Sequence, residues 1–121
     1  MPARTVLGTI LLGGLMLGAG GCDSSRDWDC RVAVRALVNA KGAGEERNAL
    51  EKVLTFGPYA LTEIEQELHA APAEARSRLL EALARIGSRD ALPLARFVSY
   101  WDQEPTIRRQ AAEVAKRLAR Q

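Results

Sequence analysis

The chain holds a single histidine, His69, and only two cysteines, Cys22 and Cys30, among its 121 residues. Without a second histidine or a close pair of thiols, a zinc site has almost no ligands to be built from. His69 stands near a helix end before Ala70, Ala71 and Pro72, where a favourable interaction with the helix C-terminus accounts for it. No Gly-x-Ser-x-Gly turn surrounds any serine, so the strained turn that presents a nucleophile is missing. Gly42-Ala43-Gly44 lacks the strand, lysine and spacing of a phosphate-binding loop. Carboxylates fall in pairs at Glu63/Glu67 and Asp102/Glu104. Both pairs read as solvated helix surface or turn, with no apolar pocket to drive their pKa values apart for acid–base work. The sequence therefore predicts neither an enzyme nor a bound cofactor or metal.

What is present begins at the N-terminus. Arg4 is the only early charge, and an uncharged run from Thr5 to Gly21 follows, carrying Leu7, Ile10, Leu11, Leu12, Leu15 and Leu17. A basic start and an apolar run have the layout of a secretory signal. A membrane-spanning helix is the competing reading, but it needs about 20 predominantly apolar residues, and seven of these seventeen are Gly or Ala. The small residues gather at Gly18-Ala19-Gly20-Gly21, just before Cys22. That segment resembles the lipobox of bacterial lipoproteins, although Ala19 stands where the family prefers an aliphatic residue. The resemblance implies cleavage before Cys22, a diacylglyceryl group on its thiol and usually an acylated amine. It makes residues 1–21 a signal peptide, 22–26 a lipidated tether and 27–121 the folded domain. Asp23 resembles the sorting signal that retains such proteins in the inner membrane of enterobacteria, so the expected address is the periplasmic face of the cell envelope, with the inner membrane preferred over the outer.

Cleavage leaves one hundred residues, enough for one domain with a real core but not for two. With Cys22 lipidated, Cys30 is a lone thiol. It shares a helical face with Val34 and Leu37, so burial explains it; a Cys22–Cys30 disulfide is the alternative and requires an unlipidated Cys22. Residues 22–75 carry six basic and ten acidic side chains, whereas residues 76–121 carry ten basic and five acidic ones. The basic distal half suits anionic headgroups or an acidic partner, or is simply an Arg-rich charged surface.

From residue 26 onward there is no strand-like run, while apolar residues recur at helical spacing between glycines and prolines. The first helix is expected over about 27–40, the second over 45–56, and a third after Pro58 carrying Leu61, Ile64 and Leu68. A fourth spans 73–87, a fifth lies within 89–101 and a sixth spans 105–120, presenting Ile107, Ala111, Ala112, Ala115 and Leu118. Pro93 is tolerable in the fifth only near its start.

The pattern repeats. A shift of 30 places Leu50, Val53, Phe56 and Gly57 on Leu80, Leu83, Ile86 and Gly87, and a shift of 32 places Arg76, Leu79, Leu80 and Leu83 on Arg108, Ala111, Ala112 and Ala115. The stretches "ARSRLLEALARIGSRDALPLARFV" and "TIRRQAAEVAKRLA" resemble HEAT repeats of the short bacterial type; the likeness is good over 73–120 and weak over 27–70. The resemblance implies an all-α fold, a short right-handed α-solenoid of about three antiparallel helix pairs, with an ordinary helical bundle as the alternative. Stacked pairs cover the faces that one pair cannot bury alone.

A HEAT-like solenoid implies a curved surface, lined by the second helix of each pair, on which another protein lies. The expected function is thus a membrane-tethered, non-enzymatic interaction or scaffold module, with Arg78, Arg85, Arg109 and Lys116 as inner-surface contacts. Tyr100 and Trp101 join them as aromatic anchors, with Trp101 equally placed to cap the core. The alternatives are a likeness to chromophore lyases, which needs a ligand-sized pocket, and a lipid-anchored spacer. Arg76, Arg78, Arg85, Arg108 and Arg109 could track phosphates, but export removes nucleic acid as a partner.

Overall fold

The computed structural model describes residues 21–121, with side chains from Ser25 onward. Residues 1–20 and the side chains of Cys22 and Asp23, where the signal, lipidation and sorting expectations fall, lie outside what is described. Among the described residues the chain is all-α. Its six α-helices are α1 (Gly21–Val38), α2 (Ala43–Phe56), α3 (Leu61–Leu68), α4 (Ala73–Ile86), α5 (Leu92–Trp101) and α6 (Pro105–Ala119).

The punctuation read from the sequence sets most of the ends. Gly87 closes α4 in the left-handed region, with φ 70° and its N–H donating to the Leu83 carbonyl, a conformation that a Cβ would strain. Two ends differ from expectation by more than a residue or two. Residues are helical from the first one described, Gly21, ahead of the expected residue 27, and neither proline nor a further glycine interrupts residues 22–38. The segment after Gly57 first makes a 3₁₀ turn over Gly57–Ala60, and α3 starts only at Leu61. Pro93 is accommodated in the same way. A 3₁₀ turn over Arg89–Ala91, fixed by the Asp90 N–H donating to Ser88 Oγ, precedes α5 and leaves Pro93 in its first turn, where no intrahelical N–H is required.

One hydrophobic cluster joins all six helices. Helix α4 is its axis: Ala75, Leu79, Leu80, Ala82, Leu83 and Ala84 are buried, and the helix packs on α1, α2, α3 and α6. Burying a leucine as fully as Leu79 or Leu83 contributes about 2 kcal/mol relative to exposure. Helix α6 buries a narrower stripe, Ile107, Ala111, Val114 and Leu118. The sequence alignment of α6 on α4 predicts Ala112 and Ala115 in the core, but both are only half-buried. A last helix has a neighbour on one side, so the outer part of the repeated apolar face stays uncovered. Cys30 is a free, fully buried thiol, as its spacing with Val34 and Leu37 predicts. Burial, with Glu63 and Asp27 nearby, pushes its pKa up.

Polar bonds stitch alternate helices together. Arg78 of α4 donates to Glu46 of α2 at 3.2 Å, and Ser77 of α4 donates to Gln110 of α6 at 2.8 Å. The bonded residues stand 32 and 33 positions apart, close to the 30- and 32-residue shifts read in the sequence.

Candidate functional site

Two surfaces contain the residues singled out by sequence. The first is formed by α2, α4 and α6 and encloses a hollow of about 590 Å³. Arg78 lies here, but its guanidinium is committed within the fold, bonding Glu46, donating to the Val38 carbonyl at 3.0 Å and lying 3.9 Å from Glu74. Arg85 is exposed and paired with Glu81 at 3.1 Å, and Lys116 is exposed and paired with Glu113 at 3.5 Å. Arg109 is exposed on α6. Surface pairs one helical turn apart stabilise by only about 0.3–0.5 kcal/mol and so can be exchanged for a partner. Glu46, Glu74 and Glu81 line the hollow alongside Arg47, Arg78 and Arg85. Its charges balance, so this surface projects no strong positive field.

The second surface is the groove between α3 and α5. Helix α5 turns Leu92, Ala95 and Val98 inward, which leaves Phe97, Tyr100 and Trp101 on its outer side, 49%, 78% and 72% exposed. Trp101 therefore does not cap the core. Two adjoining hollows of about 270 and 290 Å³ share His69, Leu94 and Phe97 as walls. Phe97 meets the His69 ring edge-on at 6.2 Å and tilts against Trp101 at 6.4 Å between centroids. Leu68 and Val98 complete the apolar lining of the first hollow, and Glu65 and Asp90 flank the second.

One end of the groove is closed by a fork-to-fork ion pair. Arg76 donates from Nε and Nη2 to the two Asp102 carboxylate oxygens at 2.8 and 2.9 Å. Its Nη1 donates to the Ala71 carbonyl at 2.8 Å, tying the turn before α4 to the turn after α5. Asp102 also accepts the Glu104 N–H at 2.9 Å. Burial alone would raise the Asp102 pKa, but the Arg76 and Glu104 hydrogen bonds and the Arg76 and Arg108 charges outweigh it and hold the carboxyl below its usual range. The sequence reading of Asp102 as a solvated turn carboxylate is corrected here, since its side chain is 7% exposed. Glu63 pairs with Arg31 at 3.6 Å.

No protein-family model matches the chain, and no curated protein or solved structure matches it either.

Of the groove's inner members, His69 stands at the helix end where the sequence places it and Leu68 is buried as its spacing predicts, whereas Phe97 was not singled out. Phe97 and Trp101 stand four apart and share a helical face, a signal available in the sequence. Nothing local announces that His69 would meet them from another helix. Among the described residues no cluster of three His, Cys, Asp or Glu side chains could hold a metal, and no helix is long and apolar enough to cross a membrane.

Proposed function

We propose that the chain is a lipid-anchored protein of the bacterial cell envelope, in which a short HEAT-like solenoid serves as a non-enzymatic docking module. The α3–α5 groove is its docking surface. The observation that carries this reading is the exposure of Phe97, Tyr100 and Trp101 beside a hollow of mixed polar and apolar lining whose end is fixed by the Arg76–Asp102 fork. Exposed aromatics on a rigid helix lose little side-chain entropy on binding and supply large contact area, which is why such residues dominate interface energetics. Glu65 and Asp90 on the rim favour an apolar segment flanked by lysine or arginine. The solenoid reading draws support from the polar bonds that join α4 to α2 and to α6. The address draws on the small residues before Cys22, with inner-membrane retention through Asp23.

The test places a photo-crosslinking side chain at Phe97 or Tyr100, and separately at Arg85 or Arg109, in the full chain in its native host. The expected result is a discrete adduct from the groove positions, lost in Trp101→Ala, with the linked peptide apolar and basic-flanked. An adduct from Arg85 or Arg109 alone moves the docking surface to the α2–α4–α6 side, and adducts from neither favour a spacer.

A further inference from the structure

Trp28 and Val32 lie one turn apart on the outer side of α1, 61% and 50% exposed. Val32 borders a hollow of about 360 Å³ between α1 and α2, lined also by Asp29, Ala33, Ala36, Lys52, Thr55 and Phe56. Beside it Phe56 stacks on Tyr59 at 6.3 Å, and the Arg26 guanidinium sits 4.1 Å from the centre of the Tyr59 ring. Tyr59 donates its phenol proton to Asp27. Phe56 and Tyr59 thus pair beside the beginning of α1, and Trp28 stands exposed on the outer side of that helix. The exposed aromatics of α5 belong to the docking groove; this group lies at the other end of the chain.

The position of Cys22 decides what this edge meets. Trp28 stands six positions after it, and α1 is already helical from Gly21. At 1.5 Å per residue the two Cα atoms are about 9 Å apart along the helix axis, and even a fully extended chain would span only about 20 Å. A bilayer carries roughly 6 Å of headgroup layer on each side of its hydrocarbon core. A lipid held on Cys22 therefore brings the beginning of α1 to the headgroup layer, with no flexible tether to lift it away. Tryptophan and tyrosine favour that layer because their rings are apolar with a polar edge. Arg35, one turn beyond Val32, and Lys52 can extend their charged heads towards phosphate from an apolar face.

We propose that the α1–α2 edge, led by Trp28 and Val32, lies in the headgroup layer of the membrane that holds the Cys22 lipid, fixing how the domain stands on the bilayer. The proposal rests on the reading that Cys22 is lipidated, and the experiment separates the two. Full-length protein is purified from host membranes, its acylation is read by intact mass, and it is reconstituted into phosphatidylcholine vesicles with or without brominated chains. In Trp101→Phe the only indole is Trp28, and in Trp28→Phe the only indole is Trp101. Trp28 emission is expected to shift to the blue and to fall about twofold with brominated lipid, whereas Trp101 is unaffected. Val32→Asp in the Trp101→Phe chain should reduce that quenching while leaving helical content unchanged. An acylated chain whose Trp28 is quenched by aqueous iodide and not by brominated lipid overturns the membrane contact. Shielding of Trp28 from both quenchers overturns it in favour of a second protein copy or partner on this edge. A chain without acyl mass overturns the address and the contact together.

Discussion

The Arg76–Asp102 fork is where a single residue matters most. It closes the groove and joins two turns 26 residues apart, a pairing that no local pattern could announce. Replacing Asp102 by Asn leaves the half-buried Arg76 charge with a neutral acceptor. The expected cost is about 2–3 kcal/mol, below the roughly 3–5 kcal/mol of a fully buried broken pair because Arg76 keeps some solvent. The folded pKa of Asp102 lies below its unfolded value, so its contribution is present above the unfolded pKa near ~3.9 and is lost as pH falls through the lower folded value. Urea titrations between pH 2 and pH 7 should show acid destabilisation in the parent that is reduced in Asp102→Asn. Cys30 gives a second check at this scale. A buried thiol with a raised pKa offers little thiolate, so maleimide should leave Cys30 unlabelled in the folded protein and modify it once guanidinium unfolds the chain.

At the scale of elements, the helices were legible because their signals are local: aliphatic residues at three- and four-residue spacing, with Gly57, Gly87, Pro72 and Pro105 at the breaks. What was not legible is how many neighbours each helix acquires. Helices α4 and α6 carry aligned sequences, yet α4 is surrounded and α6 lies at an edge, so Leu83 is fully buried while the aligned Ala115 is half-exposed. Leu83→Ala is therefore expected to lower stability by about 3–5 kcal/mol, and Val114→Ala by about 1–2 kcal/mol. Denaturant midpoints with unchanged slopes would check both values. The same logic explains the candidate site. The stretch "ARFVSYW" shows which residues share a face of α5, but only the approach of α3 makes that face one wall of a groove.

For the whole molecule, the repeat read in the sequence has a counterpart in the bonds that join α4 to α2 through Arg78 and Glu46 and to α6 through Ser77 and Gln110. Arg78 illustrates the limit of that pattern: its charge marks it as a surface contact, but its partners Glu46 and the Val38 carbonyl hold it within the fold. In the proposed function a lipid anchor would confine the domain to a membrane and raise its effective concentration towards partners held in the same membrane. The anchor is thus the premise on which this account of function turns, and Cys22 carries it. The most direct measurement is the intact mass of the protein recovered from the membranes of its native host, beside a Cys22→Ala variant. A chain beginning at Cys22 with added acyl mass, absent from the variant, is the predicted result. An unmodified chain that retains residues 1–21 would contradict the account.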